Sequence, residues 1–324
     1  MNDYSIHPPI DGFKPLIQVI QSIERNSNNR RVQNKNIALT NGVLSSLFYL
    51  LLIITNTGDP IIVNCIVFEG ILTLLKSLRL KPIMVSFQNT FQLEVALKKT
   101  GAKVLILNSP ENPSGKIFDK YFLSKLNTLA RTYKITVISD EVNNQRIYSP
   151  FEWIAPSQYI DLSRLVTLNS VTKNFYLPGV RLGWMVANEQ LIKKYKKIIA
   201  VSQVAIGMPQ QILAYEQLKK NNNKLTKSLQ ELQNKKKYME RILQIEKLEY
   251  LAPVQAGSVF FINLRTNATV LNEKLLRESR VSFIPGIYFG NKWKNWGRFG
   301  FGAVTKKEIK KGLCIIKNNI QRIT

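Results

Sequence analysis

The sequence predicts an α/β protein, with a mainly parallel sheet covered by helices and a smaller α+β unit after it. Three observations point there. Short apolar runs alternate with longer amphipathic ones over the first two thirds of the chain, as in strands joined by crossover helices. Polar residues stand just after several of those runs, where open α/β sheets bind ligands. The 324 residues, 45% of them hydrophobic, suffice for one large core and one smaller one.

Taken in order, Phe13 to Ile23 has the spacing of a short amphipathic helix, and Glu24 to Asn36 reads as a polar, basic connection. Ile37 to Thr40 is a strand ending at the turn signal Asn41-Gly42. The densely apolar Leu44 to Ile54 reads as a buried helix opened by that turn. Ile61 to Val67, Pro82 to Phe87 and Lys103 to Leu107 are strands, separated by helices over Gly70 to Leu78 and Phe91 to Lys99. A loop dense in Pro, Asn and Gly follows, from Asn108 to Gly115. The helix Asp119 to Tyr133, with Asp119 as its cap, leads to the strand Thr136 to Ser139, which delivers Asp140 and Glu141.

Asn143 to Asp161 is irregular, and Leu165 to Leu168 and Met185 to Ala187 return as strands. Helical patterning fills Gln190 to Leu218, interrupted near Gly207-Met208-Pro209, and then Lys224 to about Ile245. Strands Val259 to Leu264, Val281 to Ile284 and Arg298 to Gly302 join helices Asn272 to Glu278 and Lys306 to Ile320 in the smaller unit. The Asn221-Asn222-Asn223 run marks the boundary, which gives domains 1–221 and 222–324.

Composition narrows the function classes only a little. Basic residues outnumber acidic ones 46 to 21, a net charge of +25. The clusters Lys193–Lys197, Lys219–Lys227, Lys235–Lys237 and Lys306–Lys311 fall on stretches that read as exposed helix faces. A solvated basic surface therefore accounts for them, and nucleic-acid binding is not the expectation. The longest apolar run, Leu44 to Thr55, is shorter than the roughly 18–20 residues of a membrane span. Met1 to Pro9 carries no signal pattern. Cys65 and Cys314 form no metal motif, so buried free thiols in a cytoplasmic protein without a metal are expected.

The chemistry gathers in Asn169 to Trp184, Asn-Ser-Val-Thr-Lys-Asn-Phe-Tyr-Leu-Pro-Gly-Val-Arg-Leu-Gly-Trp. Lys173 stands among the small hydroxyl residues Ser170 and Thr172, and Arg181 follows eight residues later behind a Pro-Gly turn. An amine able to form an imine, with a hydroxyl and a guanidinium able to hold a phosphate, suits pyridoxal 5′-phosphate. The plainer reading is a strand-to-helix loop with a surface lysine.

Three other polar elements belong to strand ends: Asn41-Gly42, Asn112 and Asp140. Each has a bland alternative: a turn, an Asn-Pro turn and a helix cap.

The spaced set Ser-x-x-Lys, then Pro-Gly-x-Arg-x-Gly-Trp, resembles the lysine region of the class I/II (fold type I) aminotransferases. Ser139-Asp140-Glu141-Val142 is similar to the family's Asp-Glu-Val motif, with Asn143 where relatives carry a tyrosine. Ser109-Pro110-Glu111-Asn112-Pro113-Ser114-Gly115 looks like its Pro-x-Asn-Pro-Thr-Gly loop. The resemblance implies a seven-stranded sheet and a pyridoxal-phosphate enzyme, with Lys173 and Asp140 catalytic. It implies cofactor contacts from the backbone of Val43 and Leu44 and from Phe68, Asn112, Asp140, Asn143, Ser170, Lys173 and Arg181. Ser45 and Ser46 stay helix residues, and Phe68 reads nearly as well as core. Arg298, in Gly297-Arg298-Phe299, would grip the substrate α-carboxylate.

The implied reaction moves an amino group between an α-amino acid and a 2-oxo acid through a Lys173 imine. Two alternatives stay open: a pyridoxal-phosphate lyase or synthase on the same scaffold, or a basic binding protein that has lost turnover. The resemblance covers residues 4 to 320 and begins after the N-terminal segment that closes over substrate in relatives, which bears on lid and selectivity. A homodimer is implied as well, with Tyr4 or His7 placed to reach the partner's cofactor phosphate unless they are solvated tail residues.

Overall fold

The computed structural model describes residues 7–220 and 222–320, with the side chains of 222–224 left aside. Tyr4 and the boundary residue Asn221 lie outside the described residues. Seven strands, among the described residues, make the main sheet. They are β1 (Ile37–Thr40), β2 (Pro60–Asn64), β3 (Lys81–Val85), β4 (Val104–Asn108), β5 (Thr136–Asp140), β6 (Leu165–Ser170) and β7 (Gly183–Val186). Their order is β1-β7-β6-β5-β4-β2-β3. The pairs from β3 to β6 are parallel, while β7 runs antiparallel to both β1 and β6.

Helices cover both faces of this sheet. They are α1 (Lys14–Asn28), α2 (Val43–Ile54), α3 (Glu69–Ser77), α4 (Thr90–Thr100), α5 (Lys120–Thr132), the single turn α6 (Val171–Asn174), α7 (Glu189–Ser202) and α8 (Met208–Lys220). Leu47, Leu50, Ile71, Leu75, Ile192 and Ile199 fill one face, and Leu93, Leu97, Leu123 and Leu126 fill the other. The central strands are apolar on both sides because both sides are covered.

After α9 (Asn222–Ile245), strands β8 (Val259–Asn263), β9 (Ile284–Pro285) and β10 (Trp296–Gly300) form an antiparallel sheet in the order β8-β10-β9. It packs with α10 (Ala268–Ser279) and α11 (Lys306–Ile320) around a core of its own, which includes Phe260, Phe299, Leu271 and Leu313.

Four expectations need correction. Helix α1 runs five residues beyond Ile23, because Glu24 and Asn28 are buried and bonded rather than solvated. Glu24 accepts from Trp184 Nε1 at 2.8 Å and pairs with Arg30 at 2.7 Å, and Asn28 accepts from Trp153 Nε1 at 3.0 Å. Residues 281–283 are not strand, since Val281 and Phe283 donate to Leu275 O and Asn272 Oδ1 of α10. Cys65 and Cys314 are unpaired but half-buried rather than buried. Within the cluster Lys235–Lys237, Lys236 is buried, paired with Glu240 at 2.9 Å and seated over the Tyr148 ring.

Candidate active site

Parallel strands end together, so their last residues share one edge. Here that edge carries Asn108 on β4, Asp140 on β5 and Ser170 on β6, with Asn108 directly opposite Asp140. Asp140 is 5% exposed and accepts from the Val142 N–H at 3.2 Å. Burial pushes its carboxyl up to about 7, because little around it repays the loss of water.

An anion cradle forms at the start of α2. Gly42 caps this helix at φ +89°, with no side chain bonded to the first-turn N–H groups of Val43 and Leu44. A Cβ on Gly42 would lie 3.1 Å from Arg181 Nη2, so the guanidinium and the helix N-terminus face one small space. Aligned N–H dipoles plus a cation favour a phosphate there. Arg181 itself takes a left-handed backbone (φ 52°), and its Nη1 donates to Pro178 O at 3.2 Å.

Lys173 shares the cavity with cradle and carboxyl. Ser170 caps the single turn of α6 by accepting from Thr172 N at 3.3 Å. Asn174 then ties this turn to its surroundings: its Nδ2 donates to Asn144 Oδ1 (2.7 Å) and Asn169 Oδ1 (2.8 Å), and its Oδ1 accepts from Gln145 N (3.1 Å). Arg146 Nε donates to Lys173 O at 2.6 Å while stacking on Tyr176. The Lys173 side chain has no hydrogen-bond or ion-pair partner among the described residues and keeps much of its surface open. The surrounding walls still lower its pKa by desolvation, aided by the charges of Arg146 and Arg298.

All ten residues singled out in the sequence line one cavity of about 360 Å³: Val43, Leu44, Phe68, Asn112, Asp140, Asn143, Ser170, Lys173, Arg181 and Arg298. His7 is exposed and not among the lining residues. Sequence reading gave no role to Glu69, Asn108 or Glu111, and noted Thr172 only as a neighbour of Lys173. Glu69 and Glu111 adjoin named residues, and only the ion pair of Glu69 with Arg298 and the burial of Glu111 mark them out. Glu111 is 5% exposed, bonded to Asn64 and Ser114, and raised by burial to about 7. Across it lies a larger cavity of about 480 Å³, lined by Lys116, Asp119 and Lys292, which contains neither Lys173 nor Asp140.

The family model for class I and II aminotransferases matches residues 1–316. The chain belongs to that family. It is similar to the (5-formylfuran-3-yl)methyl phosphate transaminase of Methanocaldococcus jannaschii, at 25% identity, over 96% of this chain and 82% of that protein. It is also similar to a probable aspartate aminotransferase of the same organism, again at 25%, over 96% and 84%. Its fold matches the crystal structure of an aromatic aminotransferase from Pyrococcus horikoshii with a TM-score of 0.88, at 21% identity, over 98% and 88% of the two chains.

Aminotransferases of these classes depend on pyridoxal 5′-phosphate, and the residues of this aminotransferase fit that group. A buried, poorly compensated Asp140 suits a ring nitrogen that carries a proton, the Gly42–Arg181 cradle suits a phosphate, and Lys173 offers a free amine. Asn143, which stands where the sequence resemblance implies a tyrosine, lines the cavity and carries an amide able to donate a hydrogen bond.

Proposed function

We propose that this aminotransferase exchanges an amino group between an α-amino acid and a 2-oxo acid in this cavity, with Lys173 carrying the cofactor. The observation that supports it most is the unpartnered Lys173 amine in one cavity with Asp140 and two separate arginines. When bound, the cofactor supplies a cationic ring that takes up the electrons released as the α-proton leaves.

Asp140 would hold the proton on the ring nitrogen, and Asn112 and Asn143 would donate to the ring oxygen. Val43 N–H, Leu44 N–H, Ser170 and Arg181 would hold the phosphate, and Phe68, in the cavity wall, would shield the ring. Arg298 takes the substrate carboxylate. Lys173, with its ammonium form disfavoured by the surrounding walls and by Arg146 and Arg298, takes the proton from the substrate's α-carbon and returns it.

Separate cores support closure between units 1–221 and 222–324 around this cavity. A homodimer is supported by an apolar face on the packed helices α2 and α7. Leu44 and Leu52 on α2 and Ile198 and Val201 on α7 are exposed there, Val201 to 84%. No helix among the described residues is long and apolar enough to cross a membrane. Unpaired Cys65 and Cys314 support a reducing compartment, the cytoplasm.

Borohydride reduction of the cofactor-loaded protein followed by peptide mapping tests the reading. The pyridoxyl group is expected on the Lys173 peptide; finding it on another lysine, or on none, sinks the assignment.

A further inference from the structure

Arg298 already holds an anion of the protein's own. Its Nη1 donates to Glu69 Oε2 at 3.0 Å and to Asn112 Oδ1 at 3.4 Å, which occupies both hydrogens on that nitrogen. The guanidinium lies over the rings of Phe289 at 5.4 Å and Phe68 at 5.8 Å. The two charged side chains are only 17% and 24% exposed, so water screens the pair less than it would a surface contact. Both line the cavity that holds Lys173.

Two consequences follow from charge and geometry. A carboxylate entering for the bidentate grip of Arg298 meets a receptor that is electrically neutral and one nitrogen short. The end-on grip through Nη1 and Nη2 therefore requires Glu69 to leave, and a grip on the remaining nitrogens pairs with a charge that Glu69 already offsets. An amine with no carboxylate on its amino-bearing carbon has no need of Arg298 and leaves the ion pair intact. Displacement is itself feasible. Glu69 opens α3, where a negative charge is favoured by the helix N-terminus, and its partial exposure lets it turn towards water without being stranded.

Resting on the aminotransferase reading of the cavity, we propose that Glu69 is a specificity-determining gate on Arg298. Paired, it admits primary amines whose amino carbon bears no carboxylate. Unpaired, it frees Arg298 for the α-carboxylate of an amino or 2-oxo acid. The complete exchange balances without an outside oxidant or reductant. The amine R–CH2–NH2 becomes the aldehyde R–CHO, losing its nitrogen and two electrons. The 2-oxo acid gains both, with one hydrogen, and becomes the amino acid, while its keto oxygen leaves as water and a water oxygen enters the aldehyde.

The test compares the full-length native protein with the Glu69→Gln and Arg298→Ala variants. Calorimetry reads the binding of butanoate, a plain carboxylate, to the cofactor-loaded and the cofactor-free forms. Turnover of the loaded form is read with pentane-1,5-diamine and with alanine as donors, each with a 2-oxo acid as acceptor. Glu69→Gln is expected to bind butanoate about tenfold more tightly, the effect of removing one charged competitor. It should also lower the ratio of kcat/KM for the diamine to that for alanine by about tenfold. Either quantity unchanged overturns the gate. The Arg298→Ala variant separates the two levels of argument. If it binds butanoate as well as the native protein does, the carboxylate role of Arg298 fails, and the gate with it. If it binds poorly while Glu69→Gln shows no gain, only the gate fails.

Discussion

Replacing Asn174 by alanine removes the side chain that knits the loops around Lys173. Four contacts go: donations to Asn144 Oδ1 at 2.7 Å and Asn169 Oδ1 at 2.8 Å, a longer one that shares the same amide hydrogens to Glu141 O at 3.4 Å, and acceptance from Gln145 N at 3.1 Å. The two amide oxygens keep a partner each, Asn169 Nδ2 at 3.4 Å for the first and Ser170 N at 2.8 Å for the second. The Gln145 N–H loses its side-chain acceptor. Each lost bond costs about 0.5–1.5 kcal/mol and an orphaned N–H about 1–3 kcal/mol, so the variant should be about 2–5 kcal/mol less stable, the half-buried Gln145 keeping the sum below its maximum. Urea melts of the cofactor-free protein read this as a lower midpoint with an unchanged slope. Because the same loops carry Asn143 and Lys173, cofactor affinity should fall too. A loss under about 1 kcal/mol with normal cofactor binding would show that the network does not position the lysine.

The two arginines should separate. Arg298→Ala raises KM for amino acids by roughly ten- to hundredfold, the loss of about 1.5–3 kcal/mol, and spares cofactor affinity; Arg181→Ala weakens the cofactor first. Equal cofactor loss in both variants, measured by equilibrium dialysis, refutes the division. Glu141 is fully buried and raised to about 8 by desolvation and the nearby Glu24 charge. Its folded carboxyl therefore holds a proton more tightly than the unfolded one near 4.5. The stability it contributes is complete below that value and is lost as pH rises through about 8. Asp140 and Glu111, raised to about 7, act with the same sign. Glu141→Gln should flatten the decline of stability between about pH 5 and 8, and parallel curves for the two proteins would contradict it. Val201→Asp, in the apolar face, should yield monomers by light scattering; an unchanged dimer removes that face from the interface.

Much of the site was legible because its chemistry sits at strand ends, and strand ends are readable from local pattern. The run Thr136–Asp140 announces both a buried strand and the carboxyl it delivers, and Ser170 and Lys173 follow the next strand in the same way. Register in a parallel sheet then brings Asn108 opposite Asp140 without further instruction. The antiparallel direction of β7 carries no such local sign, since it depends on where Arg181 and the Pro-Gly turn send the chain.

What the sequence determined by itself is the alternation of strands and helices and the identity of the residues on the sheet's carboxyl edge. Both depend on side chains a few positions apart. Only the tertiary structure decided the fate of the polar residues whose partners lie far away along the chain. Glu24 and Asn28 read as a solvated connection, yet they are helical and buried, because Trp184, Arg30 and Trp153 repay their lost hydration. Glu69 reads as an ordinary helix start, yet it pairs with Arg298 in the cavity wall. A buried polar group is stable only with its partner in place, and that partner is supplied by the fold rather than by its neighbours in sequence.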